Sequence, residues 1–125
     1  SEEEKIRQRE EQYRKKVIDS FFEYGKLKNI PAQRKKEKIC LEEIAKSFEP
    51  GRDYTEKEVN LIIADFNDDF CTIRRDMIGF GIFEREQSTY RLKSTWASAI
   101  FVAKSIETQE IKSLTSGKDS DKITN

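Results

Sequence analysis

The segment 55–80 constrains the fold of this chain more than any other. Thr55 and Glu58 have the spacing of a helix-capping box, and the apolar residues that follow recur at helical intervals up to residue 66. The polar run Asn67–Asp69 then interrupts the pattern, and a second helical stripe begins at Phe70. Two amphipathic helices joined by about three residues have the spacing of a helix-turn-helix.

Further elements are predicted on either side of these two helices. An apolar stripe predicts a helix over 33–48, and alternating residues predict strands over 82–85 and 89–92. The Asp53-Tyr54 stretch can supply a short strand at the edge of that hairpin. This order predicts a mainly α fold with a small β-hairpin, which is the α+β arrangement of a winged helix-turn-helix.

Helical stripes also occur near both ends of the chain, over 5–24 and from Trp96 to Ile106. We therefore expect extra N- and C-terminal helices. The predicted organisation is a polar N-terminal segment or linker at 1–12, a single winged-helix-like domain at 13–114, and a disordered tail at 115–125. Three helices already complete a winged-helix core, so the terminal helices must pack on its back, on each other or on a second copy. A homodimer built from them is one expectation.

Composition argues against catalysis and against a metal site. The 125 residues include no His and only two Cys, so the commonest general base is missing and a structural zinc site is not expected. Cys40 and Cys71 lie within apolar patterns, which favours free thiols over a disulfide. No glycine-rich phosphate loop is present. We expect no enzymatic activity, no cofactor and no metal.

The sequence also gives an expectation about location. No apolar run approaches the roughly 18 residues that cross a membrane, and the N-terminal residues are acidic where a signal peptide would be apolar. We expect a cytoplasmic protein without a membrane partner.

Charge is unevenly distributed along the chain, although the formal net charge is zero. Residues 14–38 contain nine basic and three acidic side chains, a net charge of +6. Such a basic band fits the footprint of a polyanion, and it also fits a solvated helix face. Both interpretations are open at the level of sequence.

Duplex DNA is the polyanion that a helix-turn-helix suggests. On the second helix, Thr72 and Arg75 are predicted to reach base edges and Arg74 a phosphate. Asp68 and Asp69 at its start would repel DNA, and they also suit helix caps. The remaining predicted contacts are basic side chains of the helix predicted over 33–48 and of the hairpin predicted over 82–92, which forms the wing. They are Arg34, Lys35, Lys36, Lys38, Arg85 and Arg91.

Several stretches within residues 14–92 resemble a family of bacterial domains known as domain of unknown function 2087. They include Lys26–Pro31, Arg34–Lys36, Phe48–Asn60, Asp68–Met77 and Gly81–Arg85, with Tyr90-Arg91 further on. The resemblance implies a winged-helix-like domain, found alone or fused behind the DNA-binding domain of a regulator. It implies no activity, because none is established for the family.

Two functions therefore remain open. The first is a transcription-regulator module that binds duplex DNA through 69–80 and the basic residues at 34–38. The second is a winged-helix module for protein interaction or sensing, attached to a separate DNA-binding domain and not itself contacting DNA. The basic band favours the first, and the acids at 68–69 together with the zero net charge favour the second.

Overall fold

The computed structural model describes residues 1–124, except for the side chains of 101, 104, 107 and 116–124. The chain divides into two units, residues 1–93 and 94–125. The elements of the first unit are α1 (Glu2–Phe21), β1 (Phe22–Glu23), β2 (Lys26–Leu27), α2 (Arg34–Ala45), β3 (Tyr54–Thr55), α3 (Glu56–Ala64), α4 (Phe70–Gly79), β4 (Phe83–Glu86) and β5 (Thr89–Leu92). The second unit is the helix α5 (Ser94–Thr124). Helices thus dominate the fold, together with small antiparallel sheets, as the α+β prediction requires.

The N-terminal helix differs from its predicted range of 5–24. α1 begins earlier because Ser1 caps it, and it ends at Phe21 because the next residues form a β-hairpin. In that hairpin β1 pairs with β2, and Tyr24 and Gly25 form its two-residue turn with φ values of 53° and 75°. Positive φ at both turn residues is what the right-handed twist of a tight hairpin requires. The helical stripe predicted over 5–24 is therefore wrong at Tyr24, which lies in the hairpin turn.

The helices at 55–80 follow the sequence signals closely. Both hydrogen bonds of the Thr55–Glu58 capping box form at the start of α3. Asp69 caps α4 by accepting a hydrogen bond from the backbone N–H of Thr72. The predicted caps are confirmed, and the helix bounds agree with the predictions to within a few residues.

A three-stranded antiparallel sheet closes the domain, with the strands in the order β3-β5-β4. Tyr54 lies opposite Tyr90, so the short edge strand forms one residue later than the Asp53-Tyr54 stretch suggests. In the hairpin, Phe83 lies opposite Leu92. Buried residues alternate with half-buried ones along β5, and this turns Tyr90 and Leu92 toward the helices.

The core lies where α2, α3, α4 and the sheet meet. The buried side chains there are chiefly aliphatic and aromatic: Cys40, Leu41, Ile44, Phe48, Tyr54, Val59, Ile63, Ile73, Met77, Ile82, Phe83 and Tyr90. α2 ends at Ala45, earlier than predicted, and Phe48 reaches the core from the turn that follows. Phe48 contacts the Phe83 ring edge to face, with 4.8 Å between centroids.

The C-terminal helix is much longer than its apolar stripe. α5 continues to Thr124, through most of the segment where the sequence predicts a disordered tail. The side chains of 116–125 lie outside the described residues, and the tail remains a prediction. Among the residues that the structure describes, no helix is long and apolar enough to span a membrane.

Candidate nucleic-acid interface

Four cations lie on the first turns of α2: Arg34, Lys35, Lys36 and Lys38, hereafter the α2 basic cluster. Three of them are exposed, and Lys36 is half-buried. Gln33 is the N-cap residue of α2, and its side chain makes no hydrogen bond to the free backbone N–H groups of the first turn. Cations at this end of a helix oppose its dipole, so the helix gains no stability from having them there.

Two members of the α2 basic cluster lie against aromatic rings. The guanidinium of Arg34 lies 4.4 Å from the centroid of the Phe80 ring, at the end of α4. The ammonium of Lys35 lies 4.6 Å from the centroid of the Tyr13 ring, on α1. A ring restricts where a cation can move and leaves its full charge in place. Lys36 and Lys38 make no ion pair within the described part of the chain.

Several cations elsewhere in the first unit are matched by carboxylates. Arg14 donates to Glu42 at 2.9 Å, and the ammonium of Lys46 lies 2.8 Å from the Glu43 carboxylate. Arg52 lies 3.6 Å from the carboxylate of Glu58. No member of the α2 basic cluster has such a partner among the described residues. Its positive charge is therefore available to an external anion.

The one acid within the α2 basic cluster is Glu37. Its burial, together with a hydrogen bond and repulsion from Asp76 on α4, raises the pKa of Glu37 to about 7, against the opposing effect of Arg34. A Glu with this pKa is partly protonated near neutral pH. Glu37 therefore neutralises the neighbouring cations less than an ordinary carboxylate would.

The raised pKa of Glu37 makes the stability of the domain depend on pH. The pKa of this Glu is 4.5 in the unfolded chain and about 7 in the folded one. Its contribution to the free energy of unfolding is therefore complete below pH 4.5 and is lost as the pH rises through about 7. We expect Glu37→Gln to stabilise the protein more at pH 8 than at pH 5, by about 1–2 kcal/mol after solvent screening. Urea unfolding at both pH values measures this difference. Glu11→Gln, at an exposed site on α1, is the control; an equal response from both variants contradicts the assignment.

The placement of Arg74 on an exposed flank of α4, from which it would reach a phosphate, is wrong. Its side chain is only 10% exposed, donates to the Asn60 amide oxygen and lies 3.3 Å from the Glu56 carboxylate. Glu56 also accepts a hydrogen bond from the Tyr90 hydroxyl at 3.0 Å. Arg74 thus joins α4 to α3 and the sheet instead of facing solvent.

The two other predicted contacts on α4 remain on its surface. Arg75 is exposed and Thr72 is half-buried. Neither makes a side-chain hydrogen bond or ion pair among the described residues. Asp68 and Asp69 are also exposed at the start of this helix, so its open face carries both signs of charge.

The wing presents little free positive charge. Arg91 is surrounded by the carboxylates of Asp53, Glu84 and Glu86, at 2.8, 3.4 and 3.6 Å. Arg85 donates to the backbone oxygen of Gln87, beside the tip of the hairpin. Both side chains are thus engaged within the domain. The structure places the four predicted residues of α2 on the first turns of one helix, whereas Arg74 and Arg91 pair with carboxylates within the domain.

Sequence reasoning missed the residues that position these cations. Tyr13 and Phe80 each belong to an apolar helical stripe, which gives no sign that their rings also lie beside Lys35 and Arg34. Glu56 and Asn60 are one helical turn apart on α3, and this spacing is the only sequence signal for a shared partner.

The two cysteines differ in their surroundings. Both are free; Cys40 is buried and Cys71 is half-buried. Burial, followed by repulsion from Glu43 and Glu37, raises the pKa of the Cys40 thiol to about 11, which keeps it protonated. In the part of the chain that the structure describes, no group of three metal-ligating side chains comes together.

A family comparison covers the elements that build this site. The model of DUF2087, described as an uncharacterised protein conserved in bacteria, matches residues 26–92. The chain belongs to this family. The DUF2087 match runs from β2 to β5 and so includes the α2 basic cluster, Arg74 and the wing. No curated protein and no solved structure matches the chain.

Proposed function

We propose that this DUF2087 chain is a winged-helix module that holds the phosphate backbone of duplex DNA through the α2 basic cluster. The order α2, β3, α3, α4, β4, β5 and the sheet order β3-β5-β4 support the winged-helix assignment. In this proposal α4 does not read bases. Contact with chromosomal DNA requires a cytoplasmic location, as the sequence predicts.

One observation carries the proposal: four neighbouring cations have no carboxylate partner among the described residues, and rings hold two of them in place. Phosphate contacts need positive charge at defined positions, whereas base reading needs donors and acceptors at the groove edges. The α2 basic cluster meets the first requirement. On α4, Arg75 and Thr72 lie near two exposed acids, so this helix is less suited to base reading.

Binding to duplex DNA tests this proposal. At about 50 mM salt, fluorescence anisotropy should give a micromolar Kd that is the same for two 20-bp duplexes of unrelated sequence, since phosphates carry no sequence information. Removing two contacts in Lys36→Gln/Lys38→Gln should weaken binding at least about tenfold. Arg75→Ala should change Kd by less than about twofold.

Lys93→Gln/Lys112→Gln is the matched control, because it removes the same charge from exposed positions outside the α2 basic cluster. Equal losses in the two double variants would show that only net charge matters. A strong preference for one duplex, lost in Arg75→Ala, would instead support base reading by α4.

A protein-interaction module is the second candidate, favoured by the acids around the wing. Asp53, Glu84 and Glu86 surround Arg91 on the hairpin, and in a DNA-binding wing such carboxylates would repel phosphates. In this case the α2 basic cluster would bind an acidic protein segment. Binding of a labelled poly-glutamate peptide, without binding of duplex at the same salt concentration, would favour this candidate.

A further inference from the structure

The turn of the β1–β2 hairpin carries an exposed aromatic residue in an unusual conformation. Tyr24 is 95% exposed and has a φ of 53°. Side chains other than glycine, asparagine and aspartate rarely adopt this left-handed region, and turns of this kind favour Asn-Gly. A tyrosine here is unfavourable both for the backbone and for hydration of the ring. A residue that is kept in an unfavourable conformation is a candidate for a functional contact.

The hairpin that carries Tyr24 is held firmly against the domain. Leu27 is 2% exposed, and its backbone N–H donates to the Phe66 oxygen at 2.9 Å. The Asn67 amide donates to the Leu27 oxygen at 2.8 Å, and the Lys26 ammonium donates to the Asp65 oxygen at 2.7 Å. These bonds attach β2 to the connection between α3 and α4. Tyr24 is therefore presented on a rigid support, as interface anchors usually are.

An open cavity lies directly beside this hairpin. Its volume is about 290 Å³, and it lies between β2 and the α3–α4 connection, with Lys28, Phe66 and Asp68 among its lining residues. That size is near the lower end of ligand sites, about 300–1,000 Å³, and is sufficient for one aromatic side chain. The Asp68 carboxylate and the Lys28 ammonium have no polar partner among the described residues. A tyrosine entering the cavity could donate its hydroxyl to Asp68 and place its ring under Lys28.

We infer that Tyr24 inserts into this cavity of a second copy of the chain, forming a symmetric dimer. The aromatic tip is two residues from Lys26, which lines the cavity. A two-fold axis between tip and cavity would let each copy supply both halves of the contact. The formal net charge of zero means that two copies approach without long-range repulsion. This dimer does not use the terminal helices, and it is independent of DNA binding.

The contact is small, so the dimer is weak. Two hairpin tips and two cavities correspond to the lower end of interface sizes, for which a Kd on the order of tens of micromolar is reasonable. Sedimentation equilibrium of the full chain from about 10 to 500 μM covers that range. The average mass should rise with concentration from monomer toward dimer.

Substitution of Tyr24 separates the proposed contact from folding. Tyr24→Asn installs the residue that the turn prefers, so its Tm should rise by about 2–5 °C while its dimer Kd weakens at least about tenfold. Tyr24→Phe keeps the ring but loses the hydroxyl bond to Asp68, so its Kd should lie between those of the parent and Tyr24→Asn. Leu61→Asn is the control, because it removes another exposed apolar side chain, 62% exposed, from α3.

Three outcomes overturn the inference. They are a chain that stays monomeric throughout, a Tyr24→Asn variant that dimerises as tightly as the parent, and an equal weakening by Leu61→Asn. The second outcome would point to the terminal helices as the dimer contact.

Discussion

Phe83→Ala is expected to lower the free energy of unfolding by about 3–5 kcal/mol, because a large buried ring is lost and the cavity collapses only partly. Phe83 is 1% exposed at the start of β4. Its ring meets Phe48 at 4.8 Å and Tyr90 at 6.4 Å between centroids, both edge to face. It therefore connects the turn after α2 with the sheet, and urea unfolding followed by circular dichroism measures the loss.

Leu61→Ala is the control for Phe83→Ala, since Leu61 is 62% exposed on α3. Its expected effect is within about 0.5 kcal/mol. A loss below about 1 kcal/mol for Phe83→Ala would contradict the packing of β4 against the helices.

Arg74→Ala is expected to lower the free energy of unfolding by about 2–3 kcal/mol, whereas Arg75→Ala should change it by less than about 0.5 kcal/mol. The Arg74 side chain is 10% exposed, and its loss leaves the Asn60 amide oxygen without its donor. Glu56 is 47% exposed and can turn to water, which limits the penalty. The same urea titrations compare the two neighbouring variants.

Arg74→Lys adds a second comparison. An ammonium cannot serve Asn60 and Glu56 with the planar fork of a guanidinium, so this variant should recover less than half of the loss. Equal stability of the Arg74→Ala and Arg75→Ala variants would show that Arg74 does not hold α3 and α4 together.

Local signals in the sequence predicted the caps and helices well. The Thr55–Glu58 box and the Asp69 cap depend on residues three apart, so the pattern that predicts them also contains their hydrogen-bond partners. The strands at 83–86 and 89–92 follow from alternation of apolar and polar residues. These features needed no knowledge of packing.

Features that depend on distant residues were predicted poorly. The β1–β2 hairpin lacks the Asn-Gly signal, since Tyr24 stands where asparagine is usual, and the helical stripe predicted over 5–24 runs through it. Whether Arg74 faces solvent depends on where α3 places Glu56 and Asn60, which a helical wheel of α4 cannot show.

The candidate interface was predicted in part. The concentration of charge at 34–38 is visible in the sequence, but the absence of carboxylate partners among the described residues is a tertiary property. Arg91 illustrates the contrast, because it donates to Asp53, a residue that lies far away along the chain.

The salt dependence of duplex binding tests the role of the α2 basic cluster most directly. Contact with three or four phosphates predicts that log Kobs falls with log salt concentration with a slope of about −3, and that Lys36→Gln/Lys38→Gln makes the slope about 2 units shallower. The Lys93→Gln/Lys112→Gln control should keep the parent slope. No measurable binding at about 50 mM salt, or an unchanged slope in Lys36→Gln/Lys38→Gln, would contradict the account.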